Sequence, residues 1–279
     1  MHAASPRSPS ASRLASILCG LVLALVATRP ARGQVNAEPL RPNPWKDGFG
    51  LGLDATLSLL AGNVDLFDVG GALRLQYLTL HPSVSSSPPW AAQRVALTGN
   101  GRFAQKNDQP IVSQAYTHAR WTAMWIPRLG SDVFVQLQYN RFQRLELRAL
   151  VGLGLRLELV HTQAFLLWMG SAWMLEKNKI DVQPGAPDRA ETLDHRWTNY
   201  LSLRLAVLDG RLLMQNTVYA QPRFDAFGDV RVLEELEVLA KVTDSFALGL
   251  TFAVLYDSEP PSGVESTDLR LLNTVRLSL

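Results

Sequence analysis

The chain has almost no cysteine: Cys19 is the single one among 279 residues. It lies inside the apolar stretch Leu14–Ala27, and Leu18 stands where a lipoprotein signal would place a small residue, which argues against lipidation. Elsewhere no thiol is present, so neither a disulfide framework nor thiol chemistry supports this chain. Long apolar runs are equally scarce. Leu14–Ala27 is the only one, and it is shorter than the ~20 residues of a spanning helix. A mean hydropathy of +0.02 argues further against a bundle of membrane helices. Arg7 and Arg13 precede the run and Thr28-Arg29-Pro30-Ala31-Arg32-Gly33 closes it. A basic start, a short apolar centre and a small-x-small ending read as a signal peptide over residues 1–33, cleaved after Gly33, rather than as a retained anchor.

An excess of one charge is also missing. The chain carries 27 basic and 25 acidic side chains. Four of the basic ones (Arg7, Arg13, Arg29 and Arg32) belong to residues 1–33, so the remainder holds 23 against 25, a net charge of −2. The overall pI of about 8.8 is thus partly a property of the leader and gives no reason to expect a nucleic-acid partner. Histidines are few and scattered. His2 leaves with the leader, His81, His161 and His195 sit at turns or loops, and His118 lies on a strand. No pair has metal-ligand spacing, and neither a metal nor a cofactor is expected.

What the chain does have is alternation. Residues 34–48, with Pro39, Pro42 and Pro44, read as an extended periplasmic lead-in. From Phe49 the period is two: Leu51, Leu53, Ala55, Leu57 and Leu59 are apolar, with Gly52, Asp54, Thr56 and Ser58 between them. Phe67, Val69, Leu73, Leu75 and Tyr77 oppose Asp68, Arg74 and Gln76 in the same way. Further strands fit 93–104, 113–126, 133–143, 146–160, 163–175, 196–208, 211–223, 229–242, 245–257 and 267–279. About twelve alternating segments over residues 49–279 predict an all-β fold, a transmembrane antiparallel β-barrel with both termini on the periplasmic side.

The connections support that orientation. Pro127–Asp132, His161-Thr162, Asp209-Gly210 and Thr243-Asp244 would be short periplasmic turns. Glu176–His195, Phe224–Gly228 and Ser258–Ser266 would be longer outer loops. The stretch His81–Ala92, with three prolines, is long on the periplasmic side and breaks the pattern. Aromatic residues mark the two membrane interfaces. Phe67 and Tyr77 sit at opposite ends of one outward phase, and Phe246 and Tyr256 repeat this. Trp121, Trp125, Phe165 and Trp173 also fall near strand ends. Roughly ten tilted strand steps cover the apolar band of about 25 Å.

The other phase is charged. It carries Arg74, Arg94, Arg102, Arg120, Arg148, Arg156, Arg204, Arg231, Arg270 and Arg276, with Asp54, Asp68, Glu158, Glu235 and Glu237. So many charges do not suit the dry core of a soluble sandwich, because each unpaired buried ion costs several kcal/mol. Two readings stand: an arginine-rich lumen that favours passing anions, or an arginine–carboxylate network that fills and stiffens a narrow barrel. Asn199, Asn216, Glu234 and Asn273 break the apolar phase, and a β-bulge near Glu234 would turn that side chain inward.

Gly48-Phe49-Gly50-Leu51-Gly52 and Gly152-Leu153-Gly154 are not nucleotide loops, since each runs on as a strand instead of opening a helix. They read as small inward positions beside large lumen side chains. His118 is the one histidine placed for catalysis, as part of a barrel enzyme acting on lipid or lipopolysaccharide, but no serine is identified beside it. The acids of Glu176–His195 suit a solvated loop better than a site for a divalent cation or lipopolysaccharide. Several pieces in order resemble one family: Gly62-Asn63 after the first strand, Val151-Gly152-Leu153-Gly154-Leu155-Arg156, Tyr219-Ala220-Gln221-Pro222 with Asp229 and Arg231, and Tyr256-Asp257-Ser258-Glu259-Pro260-Pro261-Ser262-Gly263 with Asp268. Together they are similar to the salt-induced outer-membrane protein family of Gram-negative bacteria, the domain of unknown function 481. The resemblance implies an outer-membrane barrel in contact with lipid, lipopolysaccharide and the barrel-assembly machinery. It carries no catalytic residue. Leu277-Ser278-Leu279 departs from many such barrels, which end in an aromatic residue. The expectation is a porin-like channel or a structural envelope protein, not an enzyme.

Overall fold

A computed structural model describes residues 47–60, 65–81 and 87–278. The leader expected in residues 1–33 and nearly all of the lead-in expected in 34–48 lie outside them. Twelve antiparallel strands form a closed barrel: β1 (Gly48–Leu60), β2 (Leu66–Leu80), β3 (Ala91–Lys106), β4 (Gln109–Ile126), β5 (Leu129–Asn140), β6 (Leu145–His161), β7 (Phe165–Ile180), β8 (Glu191–Val207), β9 (Leu212–Arg223), β10 (Ala226–Lys241), β11 (Phe246–Asp257) and β12 (Thr267–Ser278). Each strand pairs with its sequence neighbours, and β12 returns to β1. Closure gives every strand two paired neighbours, which a spanning sheet requires because hydrocarbon cannot satisfy open N–H and C=O groups.

The ladders run further than the alternation alone predicts. The loop expected at Glu176–His195 shrinks to residues 181–190, because β7 and β8 stay paired up to Lys179 and Glu191. The turn expected at Pro127–Asp132 shrinks to residues 127–128, which returns Asp132 to β5. The loop expected at Phe224–Gly228 is a tight turn at residues 224–225. A second tight turn at Asn107 and Asp108 uses φ values of 48° and 60°, the left-handed pair that matches strand twist. Long connections at the end away from the termini are thus confined to 181–190 and 258–266, with shorter ones at 61–65 and 141–144. We call this the loop end, and the opposite one the terminal end.

Connection 81–90 remains long at the terminal end, and its visible part is folded against the barrel. Trp90 stacks on His161 with ring centroids 3.6 Å apart. His161 Nε2 lies 3.3 Å from the Pro89 carbonyl, and Gln163 donates to the Ser87 hydroxyl at 3.0 Å. These contacts join the β2–β3 connection to the β6–β7 turn, past the intervening β4 and β5.

The two faces of the sheet differ sharply. Outward side chains include Leu57 (65% exposed), Leu153, Leu155, Leu201, Leu250 and Val275, all uncovered by protein. Each large apolar side chain left in water forfeits roughly 1.5–3 kcal/mol. A surface with dozens of them is stable only against hydrocarbon, so the barrel spans a membrane. The ladders on both sides of Glu234 run without a register shift, so the expected bulge is absent and its side chain stays outward.

One joint is weaker than the rest. Among the described residues, β1 pairs with β2 from Gly48 to Leu60 but with β12 only from Gly52 to Ala55. Side chains reinforce this seam: both carboxylate oxygens of Asp54 accept from Arg276, at 2.9 and 3.0 Å.

Candidate functional site: the barrel interior

Strand alternation turns Tyr116, His118, Arg120 and Thr122 of β4 inward, opposite Asp132, Phe134, Gln136 and Gln138 of β5. The middle of this half is packed. Asp132 accepts from the Thr122 hydroxyl at 2.5 Å and the Tyr200 hydroxyl at 2.9 Å, and Arg120 lies 3.6 Å from it. The Arg120 guanidinium sits over the rings of Phe134 and Tyr200, at 5.3 and 5.5 Å. Arg156 donates to the Tyr200 hydroxyl at 3.2 Å and lies over Trp168. Trp168 and Tyr200 belong to one apolar cluster with Leu166, Tyr219, Leu233, Ala253 and Leu255.

Glycines make room for the rings. A Cβ on Gly152 would collide with the Phe134 ring, and one on Gly170 with the Tyr200 ring. Gly154 differs: a Cβ there would strike the backbone of Ser171 and Ala172, so its role is close strand approach.

Nearer the loop end, three arginines converge on one carboxylate. Glu176, 1% exposed, pairs with Arg231 and lies 3.6 Å from both Arg148 and Arg196. Asn178 donates to it at 2.7 Å. Arg231 also reaches Asp257 at 2.8 Å, and Arg196 and Arg223 reach Asp229 at 2.9 and 3.0 Å. Above this layer a cavity of about 520 Å³ opens among β6–β12 and the 181–190 and 258–266 connections.

Arg144 ties those connections together. It donates to the backbone carbonyls of Asp181 and Ser262 at 2.7 Å and to the Asp188 carboxylate at 2.9 Å. The Ser262 backbone N–H and hydroxyl both donate to Asp188, at 3.0 Å. The Ser262 backbone N–H, its hydroxyl and the Arg144 guanidinium hold the Asp188 carboxyl below its ordinary range. A depressed carboxyl stabilises the folded form above the unfolded pKa and loses that contribution as pH falls through the folded one. The clasp is therefore expected to persist at neutral and mildly acidic pH and to open only below the usual aspartate range. Arg144→Ala is expected to open it at pH 7, with trypsin then cutting in 181–190 several-fold faster than in the wild type. Equal cleavage rates would show that the clasp does not restrain the loop.

The opposite half of the interior is looser. Arg74 pairs with Asp54 at 2.5 Å, Arg102 with Asp68 at 2.5 Å, Arg270 with Glu235 at 3.2 Å, and Arg276 with Glu237 at 2.5 Å. They border a cavity of about 150 Å³ beside β1–β4 and β10–β12. Arg94 lies near Glu158, which also pairs with His161 at 3.0 Å. Arg204 is buried at the terminal side of β8.

All ten arginines of the polar phase thus face the interior, most of them beside a carboxylate. The alternation also assigned eight aromatics outward. Tyr77, Trp121, Trp125, Trp173 and Tyr256 are exposed there, and Phe67, Phe165 and Phe246 are half-buried. Trp173 lies well inside the extended β7 and donates to His195 at 3.2 Å. Sequence reasoning missed Arg196, Arg223, Asp132, Glu176, Asp194, Asp229 and Asp257. It had placed Glu176 and Asp194 in a solvated loop, whereas alternation from Trp173 onward already puts Glu176 on the inward phase. His118 is buried between Tyr116 and Phe134, with Nδ1 3.3 Å from the Gln136 amide oxygen. The ring faces the barrel interior rather than the lipid side.

These features define a membrane-spanning β-barrel with a charge-paired interior. The chain belongs to the DUF481 family, described as a protein of unknown function, whose model matches residues 55–277. No curated protein matches it in sequence. Among solved structures it is similar to the NanC porin, at 5% identity and a TM-score of 0.44 over 82% of this chain and 97% of that one. A bacterial polysaccharide outer membrane secretin gives 10% and 0.44 over 84% and 99%. The translocator domain of the autotransporter NalP from Neisseria meningitidis gives 9% and 0.43 over 96% and 95%.

Proposed function

We propose that the protein is a structural barrel of the Gram-negative outer membrane, closed to solutes at rest by its own side chains. In this reading the leader is cleaved, the termini lie in the periplasm, and lipid, lipopolysaccharide and the assembly machinery are its partners. One observation carries the closed state. Across the β4–β10 half, Arg120, Asp132, Arg156, Glu176 and Arg196 are all at most 6% exposed, so almost no water reaches the middle of that face. Residues 87–90 add a strap at the terminal end, through Trp90 on His161. The near balance of inward arginines and carboxylates also works against anion selectivity, because each paired guanidinium has its charge offset nearby.

Planar-bilayer recording tests this. The wild type is expected to show no steps above background. Arg120→Ala combined with Tyr200→Ala removes two large groups from the packed layer and is expected to produce them. Steady conductance of the wild type would overturn the closed reading. It would favour the second one, a narrow porin-like channel running beside Arg74 and Arg102, which border the cavity of about 150 Å³.

A further inference from the structure

The outward face of β9 and β10 carries a polar pair where only apolar groups belong. Glu234 lies midway along β10 and is exposed. Its outward neighbours on the same strand are Val232 and Leu236, and its cross-strand partners are Val218 and Val254. Asn216 of β9 donates to Glu234 Oε1 at 3.1 Å. The Glu234 carboxylate has further lone pairs, and the Asn216 amide has a second N–H and a carbonyl oxygen. Asn199 on β8 extends the polar surface; its amide donates to the Trp197 carbonyl at 3.4 Å. Ala220 lies between Asn199 and Val232 and leaves the surface low there.

A carboxylate among apolar outward neighbours is unfavourable against lipid tails. The pair is, however, self-complementary. About a two-fold axis along the membrane normal, Asn216 of one copy faces Glu234 of the other, and the reverse holds on the far side of the axis. Each carboxylate then meets an amide rather than the opposing carboxylate. We propose that this face is an interface between two copies of the chain, with Asn216 and Glu234 at its centre.

Sedimentation equilibrium in density-matched detergent and cysteine cross-linking in phosphatidylcholine vesicles test the proposal. In the mature chain, which lacks cysteine once residues 1–33 are removed, Ala220→Cys is expected to form a disulfide-linked dimer on oxidation, whereas Leu97→Cys, on the opposite wall, is not. Glu234→Leu is expected to weaken association about tenfold or more, because symmetry removes the contact twice. The same substitution replaces a charge by an apolar group against lipid, so the isolated barrel is expected to resist urea as well as the wild type or better. Loss of association with retained heat-modifiable migration therefore separates an interface role from a folding defect. The proposal fails if the wild type is monomeric in both settings, if Leu97→Cys cross-links as readily as Ala220→Cys, or if Glu234→Leu dimerises like the wild type.

Discussion

Glu176→Ala is expected to destabilise the barrel by about 3–5 kcal/mol, the range for removing one member of a buried ionic group. The change leaves Arg148, Arg196 and Arg231 around a space with no central carboxylate. Arg231 keeps Asp257 and Arg196 keeps Asp229, while the closest partner left to Arg148 is the neutral Asn178 amide, at 2.7 Å. Mutual repulsion of the three guanidinium groups then acts in a site that water barely reaches. Unfolding in urea, followed by heat-modifiable migration, measures the effect. Hydrogen exchange should show it first in β6, β7, β8 and β10, which supply the four residues. Asp257→Asn is the matched control. Its carboxylate is 24% exposed and Arg231 keeps Glu176, so the cost should stay at or below about 1 kcal/mol. A Glu176→Ala barrel as stable as the wild type would mean that the layer is not energetically coupled.

Gly170→Val is expected to cost about 2–4 kcal/mol, because the new side chain occupies the space of the Tyr200 ring. The ring must move, and with it go the hydrogen bonds to Asp132 and from Arg156. A double-mutant cycle with Tyr200→Ala isolates this contact. Once the ring is gone, valine has room, so the two changes together should cost less than their sum by about 1–3 kcal/mol. Strict additivity would place the penalty of Gly170→Val in the strand backbone rather than beneath the ring.

Period-two alternation was enough to read the barrel and its twelve strands. It works because one face meets lipid and the other does not, so every strand carries the same contrast. It failed at strand ends. Asp132, Glu176 and Asp194 are polar residues beside turns, and polarity near a turn looks like a loop whether the side chain meets water or a buried guanidinium. Only the cross-strand partner decides, and that partner is distant in sequence: Asp132 meets Tyr200, and Glu176 meets Arg231. The same limit hid the clasp at the loop end, where Arg144 and Ser262 come from connections that are remote along the chain. Glu234 was legible as an anomaly but not as an outward one. An exception to alternation invites a bulge, and the unbroken ladder excludes it.

The short β1–β12 joint has a mechanical consequence. A closed hoop under load yields at its lap joint, and here the lap joins the first strand made to the last. The Arg276–Asp54 bridge acts as a rivet across it, and Glu237 braces the same guanidinium from β10. The rivet can form only after the whole chain has been laid down, because its two halves are 222 residues apart. Ring closure and charge pairing are thus one event, and a barrel that has not closed leaves Asp54 without that bridge.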